Sequence, residues 1–246
     1  MYRWLALSAA GLAGVLAAVL IGWSQESKPT PIGQPPPPPN DLPLVERVLA
    51  ARKEYQLSLE ALREHYVKTG DVERTRWVEE ELLSYHRSPK RAYRLDLDVP
   101  PPTLQPAYNI PEANELFRRA MSYKGRGWWS EKDDNIRRAE ILFQQLLGTY
   151  PQSDKIDDAA YQLGEIYESR VFKQYRRAAQ YYERCFQWNP NTESDARLRA
   201  ARLYDRTLNE RGRAIQLYRE ITVREIDEKR IEEAKRRLTE LSAGPP

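Results

Sequence analysis

The chain has 246 residues, of which 41% are hydrophobic, 39 are Lys or Arg and 36 are Asp or Glu. This length and apolar content are enough for an extensive core, and the formal net charge of +3 comes from interspersed charges of both signs. Because no concentrated basic block is present, nucleic acid is not expected as a partner. The single cysteine, Cys185, excludes an intrachain disulfide framework and a cysteine-cluster metal site.

Residues 1–24 are predicted to be a transmembrane anchor or a signal peptide. Residues 4–23 are uncharged, begin and end with tryptophan and follow Arg3, a pattern typical of a helix that spans a membrane with an aromatic side chain at each interface. Cleavage as a signal peptide is the alternative, because small residues lie near the end of the run. The body is expected outside the cytoplasm, membrane-anchored in the cell envelope or released to the periplasm after cleavage.

Residues 25–41 are predicted to be a proline-rich linker, with five consecutive prolines at 35–39. Such a run favours polyproline II and makes a semi-rigid spacer. The spacer would hold a folded body away from the membrane. The alternative is a disordered mature N-terminus.

Apolar residues recur at three- and four-residue spacing from residue 42 onward, which predicts helices. Residues 42–88 are expected to form a degenerate helical hairpin, and residues 89–111 a proline-rich connector. Within the connector, residues 93–99 alternate like a strand, but no second strand accompanies them.

Residues 112–241 contain three similar segments. Each has an alanine followed four residues later by an aromatic residue, and two of the three have a proline eight residues further on. The sets are Ala139, Phe143 and Pro151; Ala178, Tyr182 and Pro190; and Ala214 and Tyr218. A small residue allows close helix approach, an aromatic fills the adjacent groove, and a proline ends the helix. A final amphipathic helix with one apolar stripe is expected to cap the array; the stripe is Ile231, Ala234, Leu238 and Leu241.

The helices that precede these segments carry matching residues, most clearly Leu163-Gly164-Glu165-Ile166-Tyr167. The whole pattern resembles the tetratricopeptide repeat (TPR). Tyr150-Pro151-Gln152-Ser153 with Ala159–Tyr167 is similar to envelope TPR proteins, among them the BamD-like outer-membrane assembly lipoproteins and the Tol-Pal-associated periplasmic protein. The resemblance implies an all-α solenoid of helical hairpins in a right-handed superhelix. It also implies a scaffold that binds a protein or peptide, or, alternatively, a component of outer-membrane or secreted-protein assembly.

Two candidate binding regions follow from this alignment. The first is the concave face of the first helices, with Phe117, Met121, Lys124, Tyr161, Glu165, Glu168, Leu198, Arg202 and Asp205. The second is the pair Trp128 and Trp129, in an insertion at 124–135 that is expected to be an exposed loop. The pair would either form an interaction hot spot or fold back to cover the first helix pair.

Groups suited to catalysis are sparse in this sequence. His65 and His86 lack partners at metal-ligand spacing, and Cys185 falls at a core position of a repeat helix. Gly125-Arg126-Gly127 lacks the lysine and hydroxyl residue of a phosphate-binding loop. No catalytic residue, metal, cofactor or small-molecule substrate is therefore predicted. A carboxylate-dependent envelope hydrolase is the enzymatic alternative.

Overall fold

The computed structural model describes residues 40–243, apart from the side chains of Trp129 and Ser130. The expected anchor or signal peptide and the linker up to residue 39 lie outside the described residues. Ten helices and no strand occur between residues 40 and 243, so the all-α class expected from the sequence is confirmed for that part of the chain. None of these helices is both long enough and apolar enough to cross a membrane.

The helices follow the chain with short connections, except between the second and the fourth. They are α1 (Leu42–Thr69), α2 (Val72–Arg87), α3 (Leu95–Asp98), α4 (Pro111–Lys124), α5 (Trp129–Thr149), α6 (Ile156–Glu168), α7 (Tyr175–Trp188), α8 (Ala196–Arg206), α9 (Arg211–Arg224) and α10 (Glu228–Ser242). Local sequence fixes several ends: Gly70 ends α1 with a left-handed φ of 71°, and the Asp71 side chain caps α2 by accepting from the Arg74 amide.

From α4 to α10 each helix packs against the next in the chain, and α1 and α2 form a separate hairpin that meets α5 through α2. The alanines and aromatic residues that define the repeats in the sequence, from Ala139 to Tyr218, are fully buried, as predicted. Gly164 on α6 lies against the ring of Tyr182 on α7, and a Cβ atom at Gly164 would lie 2.5 Å from that ring. The small residues therefore set how closely neighbouring helices approach.

The expectation of a loop over the whole insertion at 124–135 is wrong. α4 ends at Lys124 and α5 begins at Trp129, so only residues 125–128 connect the two helices. No glycine or proline follows Gly127 in this stretch, and Glu131 lies in the first turn of α5, where the helix dipole favours an acidic side chain. The charged residues thus extend the helix.

Residues 93–99 alternate like a strand in the sequence but do not form one. They contain α3, a single helical turn at Leu95–Asp98. In the absence of a second strand, the backbone groups bond within the turn, as when the amide of Val99 donates to the carbonyl of Leu95. Val99 itself is buried in the core.

Residues 88–110, which we name the strap, pass along α7. Side chains on one stripe of α7 and at its N-cap donate hydrogen bonds to strap carbonyls. The pairs are Gln174 Nε2 to Lys90 O (3.1 Å), Tyr181 OH to Asp98 O (3.1 Å), Arg184 Nε to Pro100 O (2.6 Å) and Trp188 Nε1 to Pro101 O (3.0 Å). Further along, the strap pairs with the turn before α6 through a bridge between Tyr108 and Ser153. The proline-rich connector is therefore an integral part of the fold.

Candidate functional site

The charged residues expected on the face of the first helices form a row of ion pairs, which we name the ion-pair ladder. Its members are Lys124 with Glu165, Arg199 with Glu165 and Glu168, Arg202 with Glu233, and Asp205 with Arg237. The ladder joins α4 to α6, α6 to α8 and α8 to α10. Five of the nine residues predicted for this face thus bind neighbouring first helices or the C-terminal helix.

The ladder is partly buried and is completed by tyrosine hydroxyls. Tyr182 donates to Glu168 at 2.7 Å and accepts from Arg199 at 3.2 Å. At the far end, the hydrogen bond from Arg202 lowers the pKa of Glu233. These contacts fix the spacing of the first helices. The side chains of Lys124, Arg199 and Arg202 are between 23% and 39% exposed, so their charges also face solvent.

The four remaining residues of the predicted face differ in exposure. Leu198 is 4% exposed and packs in the core, so its side chain offers almost no surface to a partner. Phe117 is half-buried, with its ring centroid 5.5 Å from that of Phe143. Tyr161 donates to Asp195 at 2.7 Å. Met121, at 39% exposed, is the apolar side chain of this set that a partner can reach.

Trp128 is 83% exposed and lies in the loop between α4 and α5. Trp128 therefore does not fold back to cover the first helix pair. Trp129 is the first residue of α5. A large exposed indole beside a helix end is a feature of interaction surfaces, where tryptophan contributes disproportionately to binding.

A cavity of about 930 Å³, which we name the cationic groove, lies between α1, α5, the start of the strap and the loop before α7. Eight Lys or Arg residues and two Glu residues line it. Sequence reasoning missed this site because its basic residues come from separate segments, so no basic block is visible along the chain. Arg87 and Arg170 are paired with Asp134 and Asp133.

The groups considered for catalysis lie on three different helices. Cys185 is buried, and burial raises the pKa of its thiol to about 11, which opposes formation of the reactive thiolate. His65 is exposed on α1, and burial lowers the pKa of His86 on α2. Between residues 40 and 243, no group of three or more His, Cys, Asp or Glu side chains is arranged to hold a metal ion.

A comparison of the chain with models of known protein families gives no match, and no curated protein has significant sequence similarity to it.

Proposed function

We propose that this protein is a non-enzymatic, TPR-type scaffold of the cell envelope that binds a partner protein or peptide. In this proposal the helical hairpins from α4 to α10 form a right-handed superhelix, and residues 4–23 anchor it in the membrane with the body outside the cytoplasm. The partner binds the face of the first helices, around Met121 and the ion-pair ladder.

The observation that carries the proposal is the way in which α7 holds the strap. Side chains of Tyr181, Arg184 and Trp188 donate to main-chain carbonyls at the end of α3 and in the proline-rich segment that follows it. Recognition of a peptide through its main chain is how many interaction domains bind extended ligands. A helix of this array therefore already binds a proline-rich segment through its main chain, one supplied by the chain itself.

Exposed residues at the end of α4 supply further support. Met121 and Trp128 give apolar surface, and the partly exposed cations of the ion-pair ladder lie on the predicted binding face with Met121. An apolar anchor surrounded by charges is the usual composition of a transient protein interface. The strap bonds to α7 and to the turn before α6, so it leaves these two side chains accessible.

Site-specific photo-crosslinking in the native envelope tests the proposal. A photoreactive side chain replaces Met121 in the full-length protein, and the same side chain replaces Val223, which is strongly exposed on α9, as a matched control. We expect a discrete protein adduct from position 121 that position 223 does not give. Absence of an adduct at 121, or the same adducts from both positions, would contradict binding at this face.

A further inference from the structure

Basic residues exceed acidic residues in the lining of the cationic groove by eight to two. Arg87, Arg170 and Arg177 each have an aspartate partner. In the described part of the chain, five other basic side chains that line the groove form no ion pair: Lys53, Lys90, Arg91, Arg137 and Lys173. An excess of one charge sign around a cavity concentrates the electrostatic field there, which attracts ligands of the opposite sign.

Arg177 provides an independent indication of a ligand. Its side chain lines the groove, is only 11% exposed, and lies over the ring of Tyr167 with the guanidinium carbon 4.2 Å from the ring centre. The Asp98 carboxylate is 3.6 Å away, and the Arg177 Nε has no hydrogen-bond partner. The Nε is enclosed by the fold, and the Oδ2 of Asp98 also lacks a partner, so the charge of Arg177 is incompletely paired within the protein. A further anionic group beside the guanidinium would stabilise it.

The distribution of the unpaired charges favours an elongated ligand. Lys53 lies on α1, Arg91 in the strap, Arg137 on α5 and Lys173 in the loop before α7, so the charges are spread over four segments around the groove. A single phosphate is usually bound by donors that converge on one point. A series of carboxylates along an extended chain requires the dispersed arrangement seen here.

The rest of the lining suits a peptide. The side chain of Gln145 supplies an amide group, and Leu57, Val171 and Phe172 supply apolar surface. A cavity of about 930 Å³ is at the upper end of the range for ligand sites, about 300–1,000 Å³, and holds several residues of an extended chain.

We infer that the cationic groove binds an acidic segment of a partner protein, with carboxylates that pair with Arg177 and with the unpaired Lys and Arg side chains around it. This inference rests on the proposed scaffold function, because the segment belongs to a protein partner. It adds a second binding surface to the face of the first helices and specifies the charge of its ligand.

Fluorescence anisotropy with the full chain in detergent micelles tests the inference, with a short fluorescent peptide of alternating Glu and Ser residues as the probe. The exposed groove residues are reversed in the double variant Lys53→Glu/Arg91→Glu, and we expect this change to weaken binding at low salt by about tenfold or more. The matched control is Arg224→Glu/Lys229→Glu on α9 and α10, where both residues are exposed. Because it changes the net charge equally, we expect it to alter binding by no more than about twofold.

Equal loss in the two double variants, or no loss in the groove variant, would overturn the inference. Displacement of the peptide by inorganic phosphate at the same concentration of anionic groups would indicate a phosphate site and would also overturn it. The inference would also be overturned if phosphatidylglycerol vesicles bound through the groove and the peptide did not. Crosslinking from position 121 separates the two proposals. If the peptide does not bind the groove but the adduct from position 121 is still formed, the proposed scaffold function stands and only the groove inference is wrong.

Discussion

Gly164 shows how one residue determines the distance between two helices. Since a Cβ atom at this position would lie 2.5 Å from the ring of Tyr182, Gly164→Ala forces the ring or the helix to move. Tyr182 is fully buried, so the ring has little room to shift. We expect the free energy of unfolding to fall by about 1–3 kcal/mol, measured by urea denaturation followed by circular dichroism.

Gly148 on α5 is the matched control, because a Cβ atom there meets no other atom within 4 Å. Alanine has the higher helix propensity, so Gly148→Ala should be neutral or should stabilise the fold by up to about 1 kcal/mol. If Gly164→Ala is as well tolerated as Gly148→Ala, Gly164 does not limit the distance between α6 and α7.

Cys185 gives a prediction about reactivity. Its thiol is buried, its pKa is raised to about 11, and its sulfur lies 3.5 Å from the Ser194 hydroxyl. At pH 8 we expect alkylation by iodoacetamide to be at least about 100-fold slower in the native protein than in the same protein unfolded in urea. Labelling at similar rates in both states would contradict the burial of Cys185.

The sequence predicted core residues better than it predicted surface residues. Ala178 and Tyr182 were recognised as core residues because a small residue that is followed, one helical turn later, by an aromatic residue allows two helices to pack closely. Leu198 and Phe117 were assigned to the binding face by counting from the alanines, although leucine and phenylalanine on a helix of this array also fit the core. Successive side chains on a helix point about 100° apart, so an error of one position in the count exchanges a surface side chain for a buried one.

The strap is the element that sequence reasoning described least well. A run of prolines predicts an extended chain without internal hydrogen bonds; Val99, just before the prolines, is extended, whereas Pro102 lies in a turn. Its position depends on donors on α7 that lie more than 80 residues further along the chain. No local pattern contains that information.

Removal of one donor from α7 should loosen the strap. Trp188→Phe deletes the hydrogen bond to the carbonyl of Pro101 and leaves a smaller ring in a buried site. We expect a loss of about 1–3 kcal/mol in the free energy of unfolding and faster tryptic cleavage of the native protein after Arg91 and Arg94, both in the strap.

Trp77→Phe is the control for this prediction, because Trp77 on α2 is half-exposed. Its effect should stay within about 0.5 kcal/mol, with no change in cleavage of the strap. Equal cleavage rates in Trp188→Phe and the unchanged protein would indicate that the indole does not hold the strap in place.

The stability of the whole molecule should depend on pH through its ion pairs. The pKa of Glu233 is lowered by the hydrogen bond from Arg202, and that of Asp134 by the hydrogen bond from Arg87. A carboxylate with a lowered folded-state pKa stabilises the fold above its unfolded pKa, and this contribution is lost as the pH falls through the folded value. We therefore expect the contribution of these two ion pairs to the free energy of unfolding to decrease as the pH is lowered from about 6 to about 3.

Glu233→Gln should reduce the slope of this pH dependence, since the residue no longer titrates. Glu232→Gln is the matched control, because Glu232 is the preceding residue on α10, is exposed and forms no ion pair with any described residue. Urea denaturation at a series of pH values measures both variants. Identical slopes for the two would show that the end of the ion-pair ladder does not contribute to acid unfolding.

Assembly of the whole molecule also explains why the cationic groove was not predicted. Lys53, Arg91, Arg137 and Lys173 are separated by 36 to 46 residues along the chain. Their sequence pattern is that of ordinary solvated charges. Only the packing of α1 and α2 beside α5, together with the course of the strap, places them around one cavity.

The strap has a consequence for the order in which the protein is made. Its hydrogen bonds to Tyr181, Arg184 and Trp188 join residues 83 to 87 positions apart. At a synthesis rate of about 5–20 residues per second, the strap leaves the ribosome on the order of ten seconds before the helix that binds it. The first hairpin, α1 with α2, can close early, whereas the strap has to wait in an open state until α7 is complete. A nascent chain that stalls before Tyr175 therefore exposes a proline-rich segment whose binding helix has not yet been made.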